Sequence, residues 1–73
     1  MILKVMRELR STYYECDVLE RELDSENKKC RLFLGNSGKT PHNLELDLSE
    51  NVTVYLMDNS GKTVEVIGRW KKR

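Results

Sequence analysis

The chain is poor in the residues that usually carry chemistry. Its 73 residues include one histidine, one proline, one tryptophan, one phenylalanine and two cysteines. No apolar run approaches the roughly 18 residues that a membrane-spanning helix needs. MILKVMRELR meets a charge at Lys4, too early and with too short an apolar core for a secretion signal, so the expectation is a soluble, cytoplasmic protein without membrane contact.

Cys16 and Cys30 are too few for a disulfide framework and lack the C-x-x-C spacing of zinc or redox sites. In a reducing compartment they read as small apolar core residues. His42 stands beside Pro41 in a polar connection and reads as a solvated loop residue. Asp24, Glu26 and Asn27 are not followed by the glycine that a calcium loop of the EF-hand type requires. A chain this short has little volume for a pocket once its core is filled. The expectation is therefore a protein that is not an enzyme, with no catalytic residue, metal ligand or cofactor.

What is present is a repeated tetrapeptide. SGKT occurs in GNSGKT (Gly35 to Thr40) and again in DNSGKT (Asp58 to Thr63). A phosphate-binding loop needs G-x-x-x-x-G-K-[ST] followed by a helix whose N–H groups face the phosphates. Counting back from Gly38 and Gly61 puts Phe33 and Leu56 where the first glycine belongs. After each copy the chain alternates like a strand, through Leu44, Leu46 and Leu48 or through Val64 and Val66. Neither copy is a nucleotide site; both read as turns.

In the second copy, Asp58 suits the first position of a type I turn, and Gly61 suits the left-handed position that lets the next strand return. VTVYLMD-NSG-KTVEVIGRW is accordingly a β-hairpin. Its first arm offers Val52, Val54 and Leu56 to one face, and Thr53, Tyr55 and Met57 to the other. The second arm sets Val64 and Val66 against Thr63, Glu65 and, beyond them, Ile67. RLFLGNSGKTPHNLELDL has the same grammar with a longer connection, because Pro41 cannot donate to a ladder. KCRLFLG alternates through Cys30, Leu32 and Leu34, after the polar turn cluster DSENKK.

The first third reads in two ways. As a helix, Ile2, Met6, Leu9, Tyr13, Cys16 and Leu23 form a stripe, and LEREL places Leu19 and Leu23 four apart among good helix formers. As strands, ILKVM breaks near Arg10-Ser11, and TYYECDVL sets Tyr14, Cys16 and Val18 against Tyr13, Glu15 and Asp17. The expected fold is all-β: a single domain over residues 1–73, built as a small antiparallel barrel or sandwich of about five to six short strands, with a short basic tail at 71–73. The alternative is α+β, an N-terminal helix over a four-stranded antiparallel sheet.

The formal net charge is +1, but the signs come in blocks. Glu15, Asp17, Glu20, Glu22, Asp24 and Glu26 are followed by Lys28, Lys29 and Arg31, then by Glu45, Asp47 and Glu50. Acidic strands returning beside basic ones give favourable cross-strand pairs and help select register.

The cadence Leu46-Asp47-Leu48-Ser49, Val52-Thr53-Val54 and Asp58-x-x-Gly61-Lys62 loosely resembles immunoglobulin-like modules of phage tail and baseplate proteins. The resemblance covers about the second half of the chain. It implies a non-catalytic role in assembly. A short compact chain of this kind is also what a phage or mobile element would encode.

The function expected from the sequence is a small protein–protein interaction module, a regulator, inhibitor or assembly adaptor. It would work through its surface or a sheet edge, with a protein partner or by self-association as a homo-oligomer. Leu44, Leu46, Leu48 and Tyr55 are the residues expected to meet that partner, while Lys62, Glu65 and the tail guard another edge. The alternative is a small β nucleic-acid-binding domain. In it Tyr13 or Trp70 stacks a base, and Arg69, Lys71, Lys72 and Arg73 neutralise phosphates.

Overall fold

A computed structural model describes residues 1–35 and 41–72. Among them are seven strands and no helix: β1 (Ile2–Arg7), β2 (Ser11–Glu15), β3 (Asp17–Asp24), β4 (Lys29–Gly35), β5 (Asn43–Asp47), β6 (Val52–Met57) and β7 (Thr63–Trp70). They form two antiparallel sheets, one in the order β2-β1-β6-β7 and the other β3-β4-β5. The fold is all-β and a sandwich.

The burial pattern follows from which strands are central. β1 and β6 lie inside the larger sheet and β4 inside the smaller. Their alternating residues Leu3, Val5, Val52, Val54, Cys30, Leu32 and Leu34 meet with Leu46 and Cys16 in one buried cluster. Both cysteines are free and lie in that cluster, as the composition led us to expect. The chain changes sheets at Cys16, the single residue between β2 and β3, whose N–H donates to the Met1 carbonyl at 2.9 Å.

The helical reading of the first third fails for a tertiary reason. LEREL is a good local helix former, but as a strand it pairs with the regular alternation of β4, from Asp17 opposite Gly35 to Asp24 opposite Lys29. Pairing outweighs propensity here. Leu19 is accommodated as the extra residue of a bulge between Val18 and Glu20.

The β6–β7 hairpin closes as its sequence indicates. The Asp58 N–H donates to Lys62 O at 2.9 Å and the Gly61 N–H to Asp58 O at 3.1 Å, with Gly61 at φ +90°. The Asp58 carboxylate accepts from the Ser60 hydroxyl at 2.6 Å and from the Ser60 and Lys62 N–H groups. These bonds, the Ser60 hydroxyl foremost, hold its carboxyl below the usual aspartate range. Asp24 and Asp47 are lowered in the same way, mainly by the side chains of Asn27 and Ser49. Because the folded values are depressed, these turns stabilise the fold at neutral pH and weaken as pH falls below the ordinary aspartate range.

Gly61→Val should destabilise the protein by about 1 kcal/mol or more, since a β-branched residue is strained at positive φ. A Cβ there would meet no atom within 4 Å, so the cost is conformational rather than steric. Coincident thermal melts of variant and parent would show that the left-handed position is not required.

The cross-strand charge pairs are present on the smaller sheet. Arg31 stands opposite Glu45 and approaches it to 3.3 Å, and Lys29 reaches the same carboxylate at 3.9 Å.

Candidate functional site

β3 and β7 are edge strands of different sheets, and they come together along one side of the sandwich. On β3, Val18, Arg21 and Leu23 stand opposite Leu34, Leu32 and Cys30 of β4, which places them on its inward face. An arginine in that row is affordable because β3 is an edge. The Arg21 guanidinium reaches β7, where Nη1 lies 3.6 Å from Glu65 Oε2 and donates to the Ile67 carbonyl at 3.4 Å.

This bridge divides the side into two open grooves. One is lined on its apolar side by Val18, Leu19, Leu56 and Ile67. The other is lined by Leu23, Cys30, Val66, Ile67 and Trp70. Leu19 is 71% exposed and Leu23 62%, and Val64 and Val66 of β7 are also largely in solvent. Most of the large apolar side chains that the described residues leave exposed therefore belong to these two strands. Glu20, Glu22 and Glu65 line the grooves too, and Arg21, the cation common to both linings, is already engaged by Glu65.

β7 departs from simple alternation. Its register against β6 shifts between Val54 and Tyr55 and again between Leu56 and Met57. The shifts bring Ile67 and Trp70 against the core and leave Val64 and Val66 outside it. The Trp70 indole lies over Gly68, so close that a Cβ there would sit 2.3 Å from Cη2.

The thiols do not look reactive. Burial is the main cause pushing both Cys16 and Cys30 up; Asp17 adds to it at Cys16, and Arg21 partly opposes it at Cys30. His42 is exposed, with its carbonyl accepting from the Leu34 N–H. Among the described residues no three His, Cys, Asp or Glu side chains converge as a metal site would require.

The residues singled out from sequence are dispersed. β5 is an edge, but Leu46 is wholly buried and Leu44 and Leu48 pack against the core, so this edge offers a partner its backbone with Asn43, Glu45 and Asp47. Tyr55 shares a row with Lys4 and Tyr13 on the outer face of the larger sheet, where Lys4 Nζ lies 5.5 Å from the Tyr13 ring centroid. Arg69 is opposite Thr53, in the neighbouring row of that face. Trp70 instead faces the groove beside β3. Lys71 and Lys72 gather with Lys28 near Leu48 at one end of the sandwich. The residues expected to bind nucleic acid thus fall on three separate surfaces. Arg73, and the first SGKT copy beyond Gly35, lie outside the described residues.

No protein-family model matches the chain, and neither the curated proteins nor the solved structures contain a significant match. No helix is long and apolar enough to cross a membrane among the described residues.

Proposed function

We propose that this is a non-catalytic protein-binding module that takes an extended segment of a partner protein along the side where β3 meets β7. The observation that carries the reading is the exposure of Leu19, Leu23 and Val66 in grooves that Leu56, Ile67 and Trp70 also line, with Val64 exposed further along β7. Exposed apolar side chains grouped in this way mark interaction surfaces. Bulges in both strands break the regular ladder, so recognition rests on side chains entering the grooves rather than on continuing a sheet. The carboxylates of Glu20 and Glu22, left over once Arg21 and Glu65 pair, favour a segment that combines apolar residues with lysine or arginine. An assembly role in a phage or mobile element accords with such a module.

Nucleic acid is the less supported ligand, because the groove carboxylates beside Trp70 repel phosphate, and Trp70 and the basic tail lie on surfaces separate from the face that carries Tyr13 and Arg69.

A random peptide library displayed on phage and selected against the protein tests the reading. Enriched peptides should alternate apolar with basic residues, and should lose at least tenfold in affinity for a Leu19→Ser, Leu23→Ser double variant that melts like the parent. Failure to enrich peptides, or equal binding to the variant, would overturn the proposal. So would saturable binding of single-stranded nucleic acid at about 0.15 M salt that disappears when Lys71, Lys72 and Arg73 are removed.

A further inference from the structure

Among the described residues the two sheets have four edge strands, and three of them carry features that discourage pairing with another chain. β3 has its bulge and a dense run of charge, Asp17, Glu20, Arg21, Glu22 and Asp24. β7 has two register shifts. β5 presents Asn43, Glu45 and Asp47 and follows Pro41. β2 has none of these. Its register with β1 is unbroken from Ser11 to Glu15, its one charge is at its end, and Tyr13 at its centre is 58% exposed. Natural proteins rarely leave a regular edge bare.

The ladder shows which backbone groups that edge offers. The Arg7 N–H donates to Arg10 O at 2.8 Å and the Cys16 N–H to Met1 O at 2.9 Å. In an antiparallel pair hydrogen-bonded and non-hydrogen-bonded positions alternate. Between those two points the bonded pairs are therefore Val5 with Thr12 and Leu3 with Tyr14. Ser11 and Tyr13 turn their N–H and C=O groups away from β1, and among the described residues no other strand pairs with β2.

We infer that β2 is a self-association edge whose occupant is β2 of a second copy, paired antiparallel about a two-fold axis at Tyr13. That register uses all five residues of the strand. It sets Tyr13 against Tyr13, Thr12 against Tyr14 and Ser11 against Glu15 of the second copy, and it keeps the two Glu15 side chains at opposite ends. The β1–β2 hairpin keeps a net positive charge at its turn, where Arg7 and Arg10 outnumber Glu8, and a net negative charge where it leaves the sheet, where Glu15 and Asp17 outnumber the Met1 ammonium that lies 3.8 Å from Asp17. Antiparallel pairing brings the basic end of one copy beside the acidic end of the other. The two larger sheets join into one of eight strands, and the rows of Tyr55, Lys4 and Tyr13 become continuous across the axis. A contact made by one short strand per copy is small, so the dimer forms with a dissociation constant in the micromolar range. The inference is independent of the β3–β7 surface.

Sedimentation velocity from about 1 to 300 µM tests it, a range that brackets micromolar dissociation constants. The average mass of the parent should rise towards that of a dimer. Tyr13→Pro should remain monomeric at every concentration while keeping its melt in dilute solution, because the lost N–H is not one that bonds to β1 and proline is tolerated at an edge. Ser11→Lys, opposite Glu15, should tighten association and Ser11→Glu should weaken it, each by about three- to tenfold since the contact occurs twice. A parent that stays monomeric overturns the inference. So does association that survives Tyr13→Pro, or a shift in the same direction for both Ser11 variants.

Discussion

Leu46→Ala should remove about 2–5 kcal/mol of stability. A chain of 73 residues has roughly 4–11 kcal/mol in total, so the variant is left close to unfolding at body temperature. The size of the effect follows from position. Leu46 is fully buried on β5, opposite Cys30, in the cluster that contains Leu3, Leu32 and Val54. Truncation there loses both the transfer of the side chain out of water and the contacts around the space it leaves. Leu23→Ala is the control, because Leu23 stands on the opposite edge strand of the same sheet, across Cys30 from Leu46, but is largely exposed. Urea titration should show a large fall in midpoint for the first variant and a small one for the second. Equal shifts would mean that β5 does not deliver Leu46 to the core.

Gly68→Ala should cost about 1–3 kcal/mol, the usual range for a group forced into occupied space. The reason is steric, since among the described glycines only Gly61 has positive φ. A Cβ at position 68 would lie 2.3 Å from Cη2 and 2.7 Å from Cζ2 of Trp70. The indole has to leave its place over the strand and expose the groove that it helps to floor. Trp70 is the sole tryptophan, so its emission reports the event directly. A red-shifted spectrum with a lower melting temperature is the expected result. An unchanged spectrum would place the indole elsewhere.

The features legible in the sequence were those set by near neighbours. Asp58, Ser60 and Gly61 specify their turn through bonds within five residues. The alternation of Cys30, Leu32 and Leu34 already marks a strand with one buried face. The β3–β7 site was not legible, because each of its parts resembles something else locally. Leu19 and Leu23 have the spacing of a helix stripe, and become exposed edge residues only once β4 has drawn them into a ladder. Val64 and Val66 alternate as buried residues do, yet the register shifts against β6 hand the core to Ile67 and Trp70. Arg21 looks like an ordinary surface charge until the second sheet brings Glu65 within reach. The same limit applies to Leu46, where alternation identified the strand but not which of its surfaces would be covered.

The place of β1 between β2 and β6 has a consequence for how the chain reaches its native state. The hairpins β3–β4, β4–β5 and β6–β7 join neighbouring segments and require only short loops to close. β1 must instead find β6 from the far end of the chain, with Leu3 meeting Leu56 and Val5 meeting Val54. Loop-closure entropy falls on this step before any contact offsets it. Until it is complete the larger sheet exists as two unconnected ribbons, and half of the buried cluster stands in water. Refolding should be slow for so small a protein, with the docking of the first strand as the event that sets its rate.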